Sequence, residues 1–302
     1  MSGFVVLIAG ILATIQDRGR YGYTDRGVCH SGAMDEYAYL WSQKLLNNHN
    51  ANAIELMTGL KLQATAAIQI AITGANLSFK INGISKPIWQ THQIEAGDIL
   101  SFEKRLSGQR AYLAVQGGFV SEKVYGSYAT TLKEGVGMKL DRGDFLACVP
   151  SRSYHRYRVQ ISEIPEYQKL LTLRVLLSYQ EAYFSQEMKE KFFDSSYQIS
   201  LQSDRMGYRL QGQAITPSKT DIISEGIAYG SIQIPQDGQP IILLKERQTI
   251  GGYPKIGTVL PIDCFRLAQA DIGSKLRFEE IDIDKAQEKM KAFNPNYALE
   301  IR

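Results

Sequence analysis

The sequence predicts a mainly β fold with a few helices, a β-rich α+β protein built as two subdomains. Three observations carry this. Apolar runs of strand length recur through residues 1–150 and again after 170, divided by Gly, Asn and Asp turns. Few stretches show the 3.6-residue period of an amphipathic helix. The 302 residues, with 26 glycines, 44% hydrophobic and 22% charged residues, describe a folded chain with many turns and enough length for more than one core.

Taken in order, strands are expected at Phe4–Ala9, Ala53–Met57, Ile68–Thr73, Leu77–Ile81, Ile99–Phe102 and Arg110–Val115. After Ser31, which suits an N-cap, Met34, Tyr37, Ala38, Trp41 and Leu45 recur at helical spacing and predict a core-facing helix. These elements make a first subdomain, 1–150. The segment 151–169 opens with SRSYHRYR, basic and aromatic together. Without a second basic cluster it reads as an exposed linker rather than a nucleic-acid surface. The second subdomain, 170–302, begins with a strand at Leu171–Leu177 and a helix over Gln180–Phe193 presenting Tyr183, Phe184, Met188 and Phe192 on one face. Two runs, Ser231–Ile234 and Pro240–Leu244, flank a Pro-Gln-Asp-Gly turn and predict a hairpin. A short amphipathic helix, Asp282–Phe293, capped by Asp282 or Asp284, follows near the end.

Composition excludes several functions. A net charge of +3 gives no electrostatic case for nucleic acid or an anionic membrane. The apolar run at the N-terminus has no basic flank and is too short to span a bilayer. Cys29, Cys148 and Cys264 form no CxxC pair, which fits free thiols in a cytoplasmic protein. The four histidines are scattered, and no metal-ligand motif, phosphate loop or nucleophile elbow is present, so no metal site is expected.

Three polar constellations remain. Gln16, Asp17 and Arg20, with Arg18 between them, pair an acid with guanidinium groups that suit a carboxylate or phosphate, and would equally tie a loop to a sheet. Asp204, Arg205 and Arg209 offer a forked donor or simply a charged turn. The richest stretch is 225–259. There Gln233, Asp237, Gln239, Arg247, Gln248, Thr249, Tyr253 and Lys255 gather around Gly251 and Gly252, placed so that backbone can approach a ligand. His30, beside Cys29 and Ser31, suits a base or a satisfied loop residue.

The segments GILATIQDRGRYGY, GVCHSGAMDEYA, ITGAN, RAYLAVQGG, SDRMGYRLQG, SEGIAYGSIQIPQDGQPIILLKERQTIGGYPKIG and LAQADIG, in this order, give a specific match over nearly the whole chain. Together they resemble the KipA family, also named allophanate hydrolase subunit 2 and the C-type subunit of 5-oxoprolinase, the biotin-dependent carboxyltransferase-like family. The resemblance implies two cyclophilin-like β-barrel subdomains and a KipI-like partner, the B-type subunit of 5-oxoprolinase. It implies a subunit of a cytoplasmic ATP-dependent 5-oxoprolinase, which with a third, lactam-utilisation subunit opens the 5-oxoproline lactam to glutamate, ATP entering through the complex. Two alternatives share the scaffold: a carboxyltransferase of a biotin-dependent urea or amide carboxylase, and a non-enzymatic antagonist that binds a KipI-like kinase inhibitor. No covalent biotin is expected on this chain, because Leu140 follows Met138-Lys139 where an acceptor has a second Met. On the resemblance, Arg247, Lys255 and the N–H groups of Gly251 and Gly252 supply a positive field. Arg205 or Arg209 holds the substrate carboxylate, and Asp17 or Asp237 orients a donor or proton. Glu246, Ile250 and Cys29-His30 depart from the usual family residues.

Overall fold

The computed structural model describes residues 1–151, 153–167 and 170–293. They divide into two compact units. One holds residues 1–20 and 31–167; the other holds Tyr21–His30 together with 170–293. The short segment Tyr21–His30 thus groups with chain that follows it by well over a hundred residues. Residues 152, 168 and 169 of the expected linker, and 294–302 of the expected second subdomain, lie outside the described residues.

In the first unit the order is β1 (Gly3–Ala9), β2 (Thr14–Gln16), α1 (Glu36–Leu45), β3 (Ala53–Leu56), β4 (Leu60–Ala64), β5 (Ile68–Asn76), β6 (Lys80–Ile81), β7 (Ile84–Ser85), β8 (Gln90–Ile94), β9 (Ile99–Ser101), β10 (Ser107–Val115) and β11 (Phe145–Ala147). The strands form two sheets, β11-β1-β4-β9-β6-β7 and β2-β3-β10-β5-β8. Side chains alternate across each strand, and this decides the layering. Ile54, Leu56, Ile70, Ile72, Leu113 and Val115 share one core with Phe4, Val6, Leu62 and Leu100 of the other sheet. Ala53, Ala71, Tyr112 and Ala114, one residue out of phase, pack instead on Ala38, Tyr39, Leu40 and Leu45 of α1. Small residues on that face let the helix lie close.

Two expectations change here. Ser31 does not cap α1: its backbone is left-handed at φ 51° and its hydroxyl donates to Thr130 O. Asp35 caps instead, Oδ1 accepting from Ala38 N at 3.1 Å. The stretch after residue 152 carries exposed side chains, as expected, but its backbone is tied down. Thr91 N donates to Tyr157 O at 3.0 Å and Val159 N to Trp89 O at 3.0 Å, so it runs along the β8 edge.

The second unit contains β12 (Leu170–Leu177), α2 (Gln186–Asp194), β13 (Ser196–Ile199), β14 (Gly207–Gln211), β15 (Glu225–Gly226), β16 (Ser231–Gln233), β17 (Ile241–Leu243), β18 (Ile250–Gly251), β19 (Lys255–Val259), α3 (Pro261–Leu267), β20 (Lys275–Glu280) and α4 (Ile283–Phe293). Seven strands close a barrel in the order β12-β19-β16-β17-β14-β13-β20. Closure distinguishes this unit from the first, whose strands are shared between two sheets. Alternation is again the cause: Leu171, Leu173 and Val175 of β12 are buried, whereas Leu170 is exposed. The predicted helix over Gln180–Phe193 is shorter, because Ser185 accepts from Met188 N at 3.3 Å and starts a new helix there. Its Phe192 stacks on Phe278 of β20 with centroids 4.3 Å apart. Helix α3 has no strong periodic signal; Pro261 opens it, where the missing N–H has no intrahelical partner to lose. Asp282 serves the last helix, accepting from Lys285 N at 2.9 Å.

Among the described residues, no helix is long and apolar enough to cross a membrane, and no group of His, Cys, Asp and Glu is assembled to hold a metal. The three cysteines are free and buried.

Candidate active site

The hairpin β16–β17 forms as predicted, with Ile232 opposite Ile242 and Gln233 opposite Ile241. Gly238 makes the turn, adopting φ +72° and donating its N–H to Pro235 O at 3.0 Å. Strand β19 pairs on the other side of β16 and puts Lys255 opposite Gln233. A separate two-stranded ribbon, β15 with β18, sets Glu225 opposite Gly251.

These pairings assemble a polar cluster. The Lys255 ammonium lies against Glu225 Oε1, and its side chain is only 7% exposed against 32% for Glu225. Burial pushes the Lys255 amine below its ordinary value. Glu225 Oε1 also accepts from the Tyr179 hydroxyl and from Gln180 Nε2, the latter at 2.7 Å. Gln180 in turn accepts from Lys255 N at 2.8 Å, so a single buried amide fixes both the strand and the acid. Gln233 is buried and, among the described residues, its Nε2 has no hydrogen-bond partner. Gly251 is required by this packing: a Cβ there would stand 2.6 Å from Ile227 Cδ1, 2.7 Å from Gln233 Nε2 and 3.1 Å from Gln248 Nε2. The cluster therefore pairs a desolvated cation, an accessible carboxylate and an unspent amide donor.

Other expected residues fall elsewhere in this unit. Arg247 is buried, donating Nε to Ile227 O at 3.1 Å, one terminal nitrogen to Leu244 O at 3.2 Å and the other to His30 Nδ1 at 2.9 Å. An arginine only donates, so Nδ1 is the unprotonated nitrogen of His30. Burial, then Arg247 and Lys245, hold His30 below its ordinary pKa. Arg247 thus anchors the Tyr21–His30 segment within the second unit. Asp237 is exposed and accepts from Gln239 N at 3.0 Å, while Gln239 accepts from Gly212 N at 2.9 Å, so both brace their own turn. Asp204 Oδ1 accepts from Met206 N and Gly207 N. Arg205 Nε is held by Glu246 at 2.5 Å, and Arg209 points outward from β14. Thr249 and Gly252 contribute backbone oxygens to Ile227 N and Ile222 N. Gln248 and Tyr253 are exposed beside them.

Gln16, Asp17 and Arg20 belong to the first unit. Asp17 accepts from Gly19 N at 2.8 Å, Ser127 Oγ at 2.6 Å and Tyr128 N at 2.7 Å. Arg20 donates to Thr131 Oγ1 at 2.9 Å and to Ala129 O, and Gln16 Nε2 to Thr130 O at 3.0 Å. All three fasten the 127–131 segment.

Sequence reasoning missed Glu225, Tyr179 and Gln180. Glu225 lies 30 residues from Lys255, and Gln180 lies 75 residues away. The one available signal was Glu225 within the SEGIAYG motif.

Known proteins share this fold and much of this sequence. Residues 26–280 match the family described as carboxyltransferase domain, subdomain A and B. The chain belongs to that family. Within it, the chain is 35% identical over 300 residues to a Haemophilus influenzae protein named as the C-type subunit of 5-oxoprolinase, covering 96% of this chain and 94% of the relative. It is 32% identical over 290 residues to the Escherichia coli protein of the same name, covering 93% and 92%. The fold matches a region of the K. lactis urea amidolyase crystal structure with a TM-score of 0.90 at 23% identity, over 99% of this chain and 20% of that one.

Proposed function

We propose that the chain is the C-type subunit of an ATP-dependent 5-oxoprolinase, an enzyme that activates the 5-oxoproline lactam and opens it to glutamate. The observation that carries the reading is end-to-end similarity: two bacterial proteins that bear this subunit's name match over nine-tenths or more of both chains. A lactam carbonyl is a poor electrophile until negative charge on its oxygen is stabilised or the oxygen is phosphorylated. Lys255 supplies that charge stabilisation from a desolvated position, where electrostatic interactions are stronger than in water. Glu225, Tyr179 and Gln180 hold the ammonium in place. ATP enters through the complex, with a KipI-like subunit and a lactam-utilisation subunit as partners in the cytoplasm.

The test is coupled turnover. The full chain combined with its partner subunits hydrolyses ATP in response to 5-oxoproline, and Lys255→Met lowers the response by about 10²–10³-fold. ATP hydrolysis indifferent to 5-oxoproline overturns the reading. A second reading, carboxyl transfer to urea or a related amide, is favoured by the description of the matched family. It requires dependence on biotin and bicarbonate in the same assay.

A further inference from the structure

Two unspent hydrogen-bonding groups lie at the β15–β18 ribbon, one on Glu225 and one reaching Gly251 from Gln233 of β16. Gln233 is 2% exposed, and its Nε2 has no acceptor among the described residues. Glu225 collects Tyr179, Gln180 and Lys255 on Oε1, while no hydrogen bond reaches Oε2 among the described residues. Direct cross-strand partners direct their Cβ bonds to the same face. Glu225 and Gly251 are such partners. Because a Cβ on Gly251 would stand 2.7 Å from Gln233 Nε2, the Gln233 amide ends on the face from which Glu225 springs. One face thus carries both a donor and an acceptor. Of the two, the donor is buried, where leaving it unpaired costs free energy that a bound ligand restores.

We propose that Gln233 and Glu225 together read the cis edge of an amide, Gln233 Nε2 donating to the carbonyl oxygen and Glu225 Oε2 accepting from the adjacent N–H. A lactam ring holds C=O and N–H on the same side, so both groups meet one wall. Ureas and primary amides present the same edge. An open-chain secondary amide is trans, its C=O and N–H point in opposite directions, and it satisfies only one of the two. Tyr179 and Gln180 act behind this pair; with Lys255 they occupy Oε1 and so leave Oε2 as the acceptor. The inference rests on the lactam reading above and adds the basis on which a ring amide is selected over a peptide.

Equilibrium binding to the full chain, assembled with its partner subunits, tests it with two probes, 5-oxoproline and its N-methyl derivative. The derivative keeps the ring and the carbonyl but replaces the N–H by a methyl group. A site built to hydrogen-bond a polar group rejects an analogue lacking it, so the lactam binds more tightly on the order of 10²-fold. Glu225→Ala removes most of that discrimination, and Gln233→Glu, which replaces the donor with an acceptor, weakens both probes. Equal binding of the two probes by the wild-type complex overturns the proposal without any variant having to fold. Discrimination unchanged in a folded Glu225→Ala protein overturns it as well. These failures leave the lactam-stimulated ATP turnover intact, whereas failure of the functional reading removes that turnover.

Discussion

The Asp17–Arg20 turn of the first unit and the Glu225–Lys255 cluster of the second each bury charge, yet they satisfy it differently. Asp17 spends both oxygens on Gly19 N, Ser127 Oγ and Tyr128 N, and Arg20 reaches Ala129 O and Thr131 Oγ1. Backbone groups and hydroxyls of one segment do most of this work, which makes the turn a clamp. In the second unit the partners are side chains: Lys255, Tyr179 and Gln180 converge on one oxygen of Glu225. Unpaired atoms occur in both places, for among the described residues Gln16 Oε1 and Arg20 Nε are buried without partners, as is Gln233 Nε2. Access separates them. Gln16 and Arg20 are 0% and 1% exposed, whereas Glu225, beside Gln233, keeps a side chain 32% exposed.

The comparison breaks most visibly at Lys255. Lys255→Met keeps the aliphatic stem and removes the charge, and it lowers 5-oxoproline-dependent ATP turnover of the assembled complex by about 10²–10³-fold, the usual cost of removing one electrostatic stabiliser. Thermal unfolding of the isolated chain changes little, because Glu225 keeps Tyr179, Gln180 and solvent. Full activity in this variant would make the cluster a second clamp.

Asp17→Ala tests the other side. Three donors lose their acceptor at a site 9% exposed, which costs about 3 kcal/mol of stability measured by denaturant unfolding. The lactam affinity of the folded variant is unchanged. Weakened binding with stability retained would return Asp17 to the site.

A subtler break is Gly251→Ala. Its φ lies outside the left-handed region, so alanine is accepted by the backbone, but the added methyl group displaces the Gln233 and Gln248 amides. Turnover falls by about 10²-fold from misplacement of these groups. Turnover equal to the wild type would show that these amides need no fixed position.

What could be read in advance follows the range of the interactions. The β16–β17 hairpin, its Pro-Gln-Asp-Gly turn and the alternation of β12 depend on neighbours, and all were visible in the sequence. Gly251 and Lys255 were visible as candidates on residue type alone. Their partners were not: Glu225 meets Lys255 only because β15 pairs with β18 and β19 pairs with β16. The partners of Arg247 were hidden for the same reason. Its charge and glycine-rich surroundings suit an anion site, but barrel closure turns it toward two carbonyls and His30, 217 residues earlier in the chain. Asp17 and Arg20 likewise meet acceptors and donors about a hundred residues away, a distance over which local pattern carries no information.

The smallest effect belongs to the His30–Arg247 contact, and pH reveals it. His30 Nδ1 accepts from Arg247, so the folded state holds the ring neutral, and burial with Arg247 and Lys245 lowers its pKa below 6.5. The unfolded chain titrates near that ordinary value and therefore binds the extra proton first as pH falls. Stability from this group is complete above about pH 6.5 and declines as pH drops through the window down to the lowered folded value. Carboxylates titrate in the same experiment, but they are common to wild type and variant. The difference between the two proteins isolates His30: unfolding midpoints for the wild type fall more steeply between about pH 7 and the lowered pKa than those of His30→Gln, which retains an acceptor for Arg247 and cannot be protonated there. Parallel profiles would mean that Arg247 holds the Tyr21–His30 segment without depending on the charge state of His30.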